Sequence, residues 1–195
     1  KIKFDEILNG GLPKYTTTLL TGTAGTGKTI LSFQWLFNGV KHGENGIYIS
    51  ITEPLFMAVR NIESMEFYDR KVIEQEQIKV VDIEEDILDY EKISSGSLLN
   101  NIEKQVKETN AKRVVIDSIT GILQILKSKA EIRQFIFKLK KVFATLGCTV
   151  IMTGEVPEMS EYSAYGVEEF ASDGIILLNT IVGENQMIRK LQVIK

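Results

Sequence analysis

The stretch Gly22-Thr-Ala-Gly-Thr-Gly-Lys28-Thr29 decides the fold. It fits G-x-x-x-x-G-K-[ST], a pattern with a narrow physical meaning: backbone N–H groups turned inward around phosphate oxygens. Gly22, Gly25 and Gly27 permit the tight turns, and the helix that follows adds the positive end of its dipole at the same point. The expected cradle for a nucleoside triphosphate is Thr23, Ala24, Gly25, Thr26, Gly27, Lys28, Thr29 and Ile30. Lys28 supplies a point charge for the β- and γ-phosphates, and the Thr29 hydroxyl a ligand for Mg2+.

Chance produces this pattern in roughly one chain in 150 of this length. A mere flexible loop must also explain the flanks. Before the motif runs Tyr15-Thr-Thr-Thr-Leu-Leu-Thr21, β-branched and apolar like a buried strand. After it, Ile30, Leu31, Phe33, Trp35, Leu36, Phe37 and Val40 make a helix apolar nearly all round. Strand, glycine loop and helix are the required order.

The remaining chain alternates in kind. Strands are expected at Gly46–Ile51, Gln77–Ile83, Arg113–Asp117 and Cys148–Thr153. Helices are expected at Pro54–Phe67, at Ser97–Asn110 capped by Ser95 or Ser97, and along Ile132, Phe135, Ile136, Leu139, Val142, Phe143 and Leu146, stopped by Gly147. Gly174–Thr180 and Met187–Lys195 read as an antiparallel hairpin around Val-Gly-Glu-Asn. The expected class is α/β: a mostly parallel sheet with helices on both faces and a C-terminal hairpin. No repeat or low-complexity linker interrupts residues 1–195, so one domain is expected.

Composition narrows the setting. The chain has 195 residues, 44% hydrophobic and 25% charged, ordinary for a globular protein with a full core. A net charge of −3 offers no general attraction to nucleic acid or anionic membrane. No apolar run approaches membrane-spanning length and no leader pattern is seen, although the chain opens at Lys1 rather than Met, so residues upstream are allowed for. The single cysteine, Cys148, sits in an apolar run and reads as a small buried hydrophobe, which suits a reducing cytoplasm. His42, just before Gly43, reads as a helix-end residue.

Asp117 is the second residue with chemistry. It closes the strand Val114-Val-Ile116, and open parallel sheets bind ligands beyond the carboxyl ends of their strands. A carboxylate there holds Mg2+ directly or through water, with Ser118 and Thr120 adding hydroxyls. The alternative is a turn-capping Asp-Ser pair.

With these residues the chain resembles the RecA-like P-loop ATPases, and among them the KaiC-like group. The resemblance runs through Phe4-Asp-Glu-Ile-Leu8, Gly10-Gly-Leu-Pro13, the phosphate loop, Ile116-Asp-Ser118, Tyr165-Gly-Val-Glu-Glu-Phe170, Ser172-Asp173 and Arg189-Lys-Leu191. It implies a Mg2+-dependent ATPase assembled as a ring, commonly a hexamer, with ATP between neighbouring subunits. The group usually ends its second strand in two glutamates, the first activating water; here Thr52 stands first and Glu53 second. Glu53 is therefore the expected catalytic carboxylate beside Lys28, or else a charge at the N-terminus of the next helix. Ser64 matches a nucleotide-contacting position, or is an ordinary polar helix residue. Lys195 matches the lysine that reaches a neighbour's γ-phosphate. Thr153-Gly-Glu155 falls at the sensor position, with Val156 where the group has arginine.

The recombinases of the same superfamily hold DNA with loops in the C-terminal half. Here no Lys or Arg lies between Val142 and Ile188, while Glu155, Glu158, Glu161, Glu168, Glu169, Asp173 and Glu184 do. Phosphate backbones need cations, so nucleic acid is not expected. Lys127, Lys129, Arg133, Lys138, Lys140 and Lys141 read as a solvated face, and the acidic run Asp82–Glu91 as a wet loop. Two functions stand: an ATPase turning over in a ring, or a nucleotide-gated binding module with negligible hydrolysis. A recombination accessory role is the third.

Overall fold

The computed structural model describes residues 4–8, 10–51, 53–83, 95–126, 128–157, 162–182 and 186–195. Thr52, Lys127, Glu158, Glu161, Glu184, most of the acidic run and the hairpin turn at 183–185 lie outside the described residues.

Seven strands form one sheet: β1 (Thr17–Gly22), β2 (Gly46–Ser50), β3 (Ile78–Asp82), β4 (Arg113–Asp117), β5 (Thr149–Glu155), β6 (Gly174–Val182) and β7 (Met187–Val193). Their spatial order is β3-β2-β4-β5-β1-β6-β7. The first six strands run parallel, and only β6–β7 is antiparallel, pairing Ile176 with Val193 and Val182 with Met187. The expected hairpin and mostly parallel sheet are both present.

Eight helical segments are described: α1 (Phe4–Ile7), α2 (Lys28–Lys41), α3 (Leu55–Arg60), α4 (Arg70–Glu74), α5 (Ser95–Glu108), α6 (Ile119–Leu123), α7 (Lys129–Leu146) and α8 (Glu168–Ala171). The apolar strand runs are explained by burial on both faces. Successive residues point to opposite sides, so Leu20, Tyr48, Val115 and Ile151 pack with Phe33, Leu36 and Phe37 of α2. Leu19, Ile47, Ile49, Val114, Ile116, Val150 and Met152 pack on the other side with Ile102 of α5 and Ile136, Leu139 and Phe143 of α7. In α7, Ser128 Oγ accepts from the Glu131 N–H at 3.2 Å, and Gly147, at φ 67°, closes the helix.

Two expectations need correction. The helix expected over Pro54–Phe67 stops at Arg60. Beyond it, Ile62, Met65 and Tyr68 N–H groups bond carbonyls three residues back. These tighter turns bring Phe67 and Tyr68 against Phe37, with ring centroids 5.6 and 5.8 Å away, so tertiary packing overrides the helical period. Likewise α5 begins at Ser95, which places Ser97 inside its first turn rather than at the cap.

The chain leaves β1 toward β2 on one side, whereas β5 and β6 flank β1 directly. In sheets of this kind ligands bind at the carboxyl ends of the strands where the connections change side, here at the end of β1. The phosphate-loop motif lies there.

Candidate functional site

Gly22 ends β1 between Leu178 of β6 and Glu155 of β5. A Cβ on Gly22 would lie 2.3 Å from the Leu178 carbonyl oxygen, so only glycine fits between the strands. The loop then rises exposed through Thr23, Ala24 and Gly25, and Thr26 turns back, buried, its hydroxyl donating to the Thr23 carbonyl at 2.9 Å. Gly27, at φ 97°, caps α2 with no side-chain bond to the helix N-terminus, and a Cβ there would meet nothing within 4 Å. The first-turn amides of α2 therefore receive no capping side chain, at the positive end of a 14-residue helix. Ile30 is half-buried in the first turn.

Lys28 Nζ donates to the Gly22 and Thr23 carbonyls at 2.8 and 2.9 Å, which folds its side chain back along the loop. Burial lowers its pKa, opposed by the negative charges of Asp117 and then Glu155. Glu155, level with Gly22 on the next strand, is thus a second carboxylate whose charge acts on Lys28, and its N–H donates to Thr120 Oγ1 at 3.1 Å.

Asp117 collects hydroxyls. Thr29 Oγ1 donates to its Oδ2 at 2.8 Å, and Thr153 Oγ1 to its Oδ1 at 2.5 Å. The Tyr48 hydroxyl also donates to Oδ2. The turn-capping alternative for Asp117 is not what the structure presents: its carboxylate accepts from α2, β2 and β5 instead of from its own turn. The next helix, α6, has Ser118 as N-cap with no side-chain bond, and Ser118 and Thr120 are buried.

Tyr48 is the residue the sequence reading passed over. It sits in an apolar run and only 1% of its surface is exposed. A buried phenol must find an acceptor, and that requirement is the signal that was available. Its ring stacks on Phe33 at 4.1 Å between centroids. Burial first, then the adjacent Asp117 charge, push the phenol's pKa far above its ordinary value, so it serves as a neutral donor.

The other expected residues are more scattered. Glu53 follows β2, half-buried, and its Oε1 accepts from Asn61 Nδ2 at 3.3 Å. The N-cap of α3 is Pro54, and the Glu53 charge acts on Tyr48. Ser64 is exposed in the turns between α3 and α4. Lys195 lies at the opposite end of the sheet, where its Nζ donates to the Ser172 carbonyl at 2.8 Å and its own carbonyl accepts from Ile175. Within one chain it is remote from the loop.

Several resemblance markers have local structural work. Glu168, 1% exposed, accepts from the Tyr165 and Val167 N–H groups at 3.3 and 3.0 Å and so ties the turn that starts α8. Asp173 accepts from the Thr17 N–H at 2.8 Å and from Lys140 Nζ at 2.7 Å, joining β1, β6 and α7.

A family described as "ATPase: KaiC" matches residues 1–195. The chain belongs to the KaiC ATPase family. It is 34% identical over 197 residues to the circadian clock oscillator protein KaiC of Parasynechococcus marenigrum, covering 98% of this chain and 38% of that protein. It is 35% identical over 198 residues to the KaiC of Prochlorococcus marinus subsp. pastoris, covering 98% and 39%. The chain thus spans under two fifths of the length of these curated relatives. The crystal structure of a KaiC-like protein from Pyrococcus horikoshii OT3 superposes with a TM-score of 0.82 at 34% identity, over 98% of this chain and 84% of that one. The sheet described above is accordingly the RecA-like fold of a KaiC-family domain. Among the described residues of this KaiC-family chain, no helix is long and apolar enough to cross a membrane.

Residues for Mg2+ fit this KaiC-family site. Thr29 gives its proton to Asp117, which leaves the lone pairs of its oxygen available to a cation. Among the described residues no group of three or more His, Cys, Asp or Glu could hold a metal, so the ion would draw on Thr29, Asp117 and phosphate oxygens.

Proposed function

We propose that residues 1–195 form one cytoplasmic ATP-binding domain that takes ATP with Mg2+ on residues 22–30 and hydrolyses it at the subunit interfaces of a homo-oligomeric ring. The observation that carries this reading is the 2.8 Å bond from Thr29 to Asp117 at the mouth of the sheet, beside an uncapped helix start. Loop amides bind the phosphates, Lys28 turns its ammonium to the β- and γ-oxygens, and Thr29 with Asp117 holds the ion. When bound, Mg2+ supplies charge neutralisation on the phosphate oxygens. Glu53 takes the proton of the attacking water as its oxygen bonds the γ-phosphorus and the bond to the bridging oxygen breaks, giving ADP and phosphate. Ser64 contacts the nucleotide.

A ring gives Lys195 its role: remote from its own loop, it serves a neighbour's. The two sheet edges support a head-to-tail contact, since they expose unlike apolar residues. Phe56 is 64% exposed beside β3, and Met187, Ile188 and Val193 are exposed on β7. Such heterologous surfaces close into rings, here a hexamer as the resemblance implies.

A second reading, a nucleotide-gated binding module, is favoured by the Glu53 bond to Asn61, which engages the carboxylate within its own segment. Calorimetry with ATP and Mg2+ tests the common ground: the wild type binds, and Lys28→Ala loses roughly tenfold or more in affinity. No heat with the wild type ends both readings. Phosphate release above background that vanishes in Glu53→Gln supports the enzyme, and background release in both proteins supports the module. Sedimentation with and without nucleotide reports the ring.

A further inference from the structure

Resting on that reading, we infer that the Tyr48 hydroxyl is a positioning group that sets the site's preference for hydrated Mg2+ over Ca2+. A carboxylate offers about four acceptor positions, and Asp117 has committed three: Thr29 and Tyr48 on Oδ2, Thr153 on Oδ1. One position remains. It suits a single proton from a metal-bound water, not direct or bidentate ligation.

The two cations differ in what they ask of a carboxylate. Mg2+ sheds water reluctantly and keeps several waters in its octahedron, whereas Ca2+ accepts six to eight oxygens and takes carboxylates directly. An aspartate with one free acceptor position therefore serves the first and fails the second. Tyr48 matters most of the three donors because it shares Oδ2, the oxygen beside Thr29, where a cation would sit. Removing its hydroxyl returns an acceptor position at that oxygen.

The phenol is held for this task from two directions. Its ring lies at 16° to the Phe33 ring on α2, the helix that also carries Thr29 one turn earlier. Its backbone pairs in β2 with Val115, two residues before Asp117 on the same face of β4. The hydroxyl, the threonine and the aspartate thus move as one unit, set by a strand pairing and a ring stack.

The test is ATP binding by calorimetry in Mg2+, in Ca2+ and in EDTA, for wild type and Tyr48→Phe, with no turnover measured. The expected result is that the ratio of Mg2+-supported to Ca2+-supported affinity falls roughly tenfold in Tyr48→Phe, as expected for losing one hydrogen bond to a charged group, while binding in EDTA is unchanged. Tyr48→Met, which removes the hydroxyl with an adaptable apolar chain, gives the same ratio should the phenylalanine fold poorly. An unchanged ratio in the variants overturns the inference, as does an equal loss in all three conditions, which marks a merely structural tyrosine. If the wild type itself binds no ATP in any condition, the nucleotide reading falls and takes this inference with it.

Discussion

Thr29 and Asp117 are 88 residues apart in the chain, yet the hydroxyl of one donates to Oδ2 of the other at 2.8 Å. The bond spans the crevice between the carboxyl ends of β1 and β4, with β5 between them in the sheet. It joins the phosphate loop to the strand carboxylate and makes them a single site. Thr153, within the intervening β5, completes the group by donating to Oδ1.

Replacing Asp117 with Asn puts an amide where three hydroxyl protons arrive. At least one of the Tyr48, Thr29 and Thr153 hydroxyls then loses its acceptor, and Tyr48 and Thr153 are buried. Chemical denaturation is expected to show a loss of about 2 kcal/mol. The enhancement of ATP affinity by Mg2+ is expected to disappear in the same protein, read by nucleotide titration with and without EDTA.

Gly22 and Gly27 make a contrast within one loop. A Cβ at Gly22 meets a backbone carbonyl at 2.3 Å, which cannot swing away as a side chain would, while one at Gly27 meets nothing and suffers only its φ of 97°. Gly22→Ala is expected to cost about 3 kcal/mol by overpacking β1 against β6. Gly27→Ala is expected to cost about 1–2 kcal/mol through the left-handed backbone. Comparable losses for both in urea titration would contradict the packing described.

Glu155, beside Gly22 at the end of β5, has a charge that acts on Lys28, and the same charge repels an incoming polyphosphate. Glu155→Gln is expected to tighten ATP binding about two- to threefold at low ionic strength. Because Glu155 is exposed, the gain is expected to fade at about 0.5 M salt. Weaker binding by the variant would assign the carboxylate a direct role with the nucleotide.

Cys148 gives a pH signature. Burial raises its thiol from 9.0 to about 11, its Sγ donating to the Ala111 carbonyl at 3.2 Å. The folded pKa is above the unfolded one, so this contribution is whole below pH 9 and lost as pH rises through 11. That rise corresponds to about 2–3 kcal/mol. Wild type is expected to lose that much more stability than Cys148→Ala between those pH values, measured by urea denaturation across the range.

Much of this was legible in residues 15 to 40. Strand, glycine loop and apolar helix carry their own local instructions: β-branched residues, three glycines and a 3.6-residue period. Residues 113–117 were equally plain, and β4 has the expected bounds. Where local pattern and tertiary demand diverged, as between Arg60 and Tyr68, the period pointed to a helix and packing against Phe37 took the chain elsewhere.

The sequence by itself determined the parallel α/β architecture, the phosphate loop and the aspartate that answers it, because each of these is written in neighbouring residues. The tertiary structure alone decided which hydroxyls converge on Asp117, that the Glu155 charge acts on Lys28, and that Lys195 stands at the far end of the sheet. Those relations depend on strand order and register, and contacts between residues 36 to 88 positions apart leave no periodicity in the chain for a reader to find.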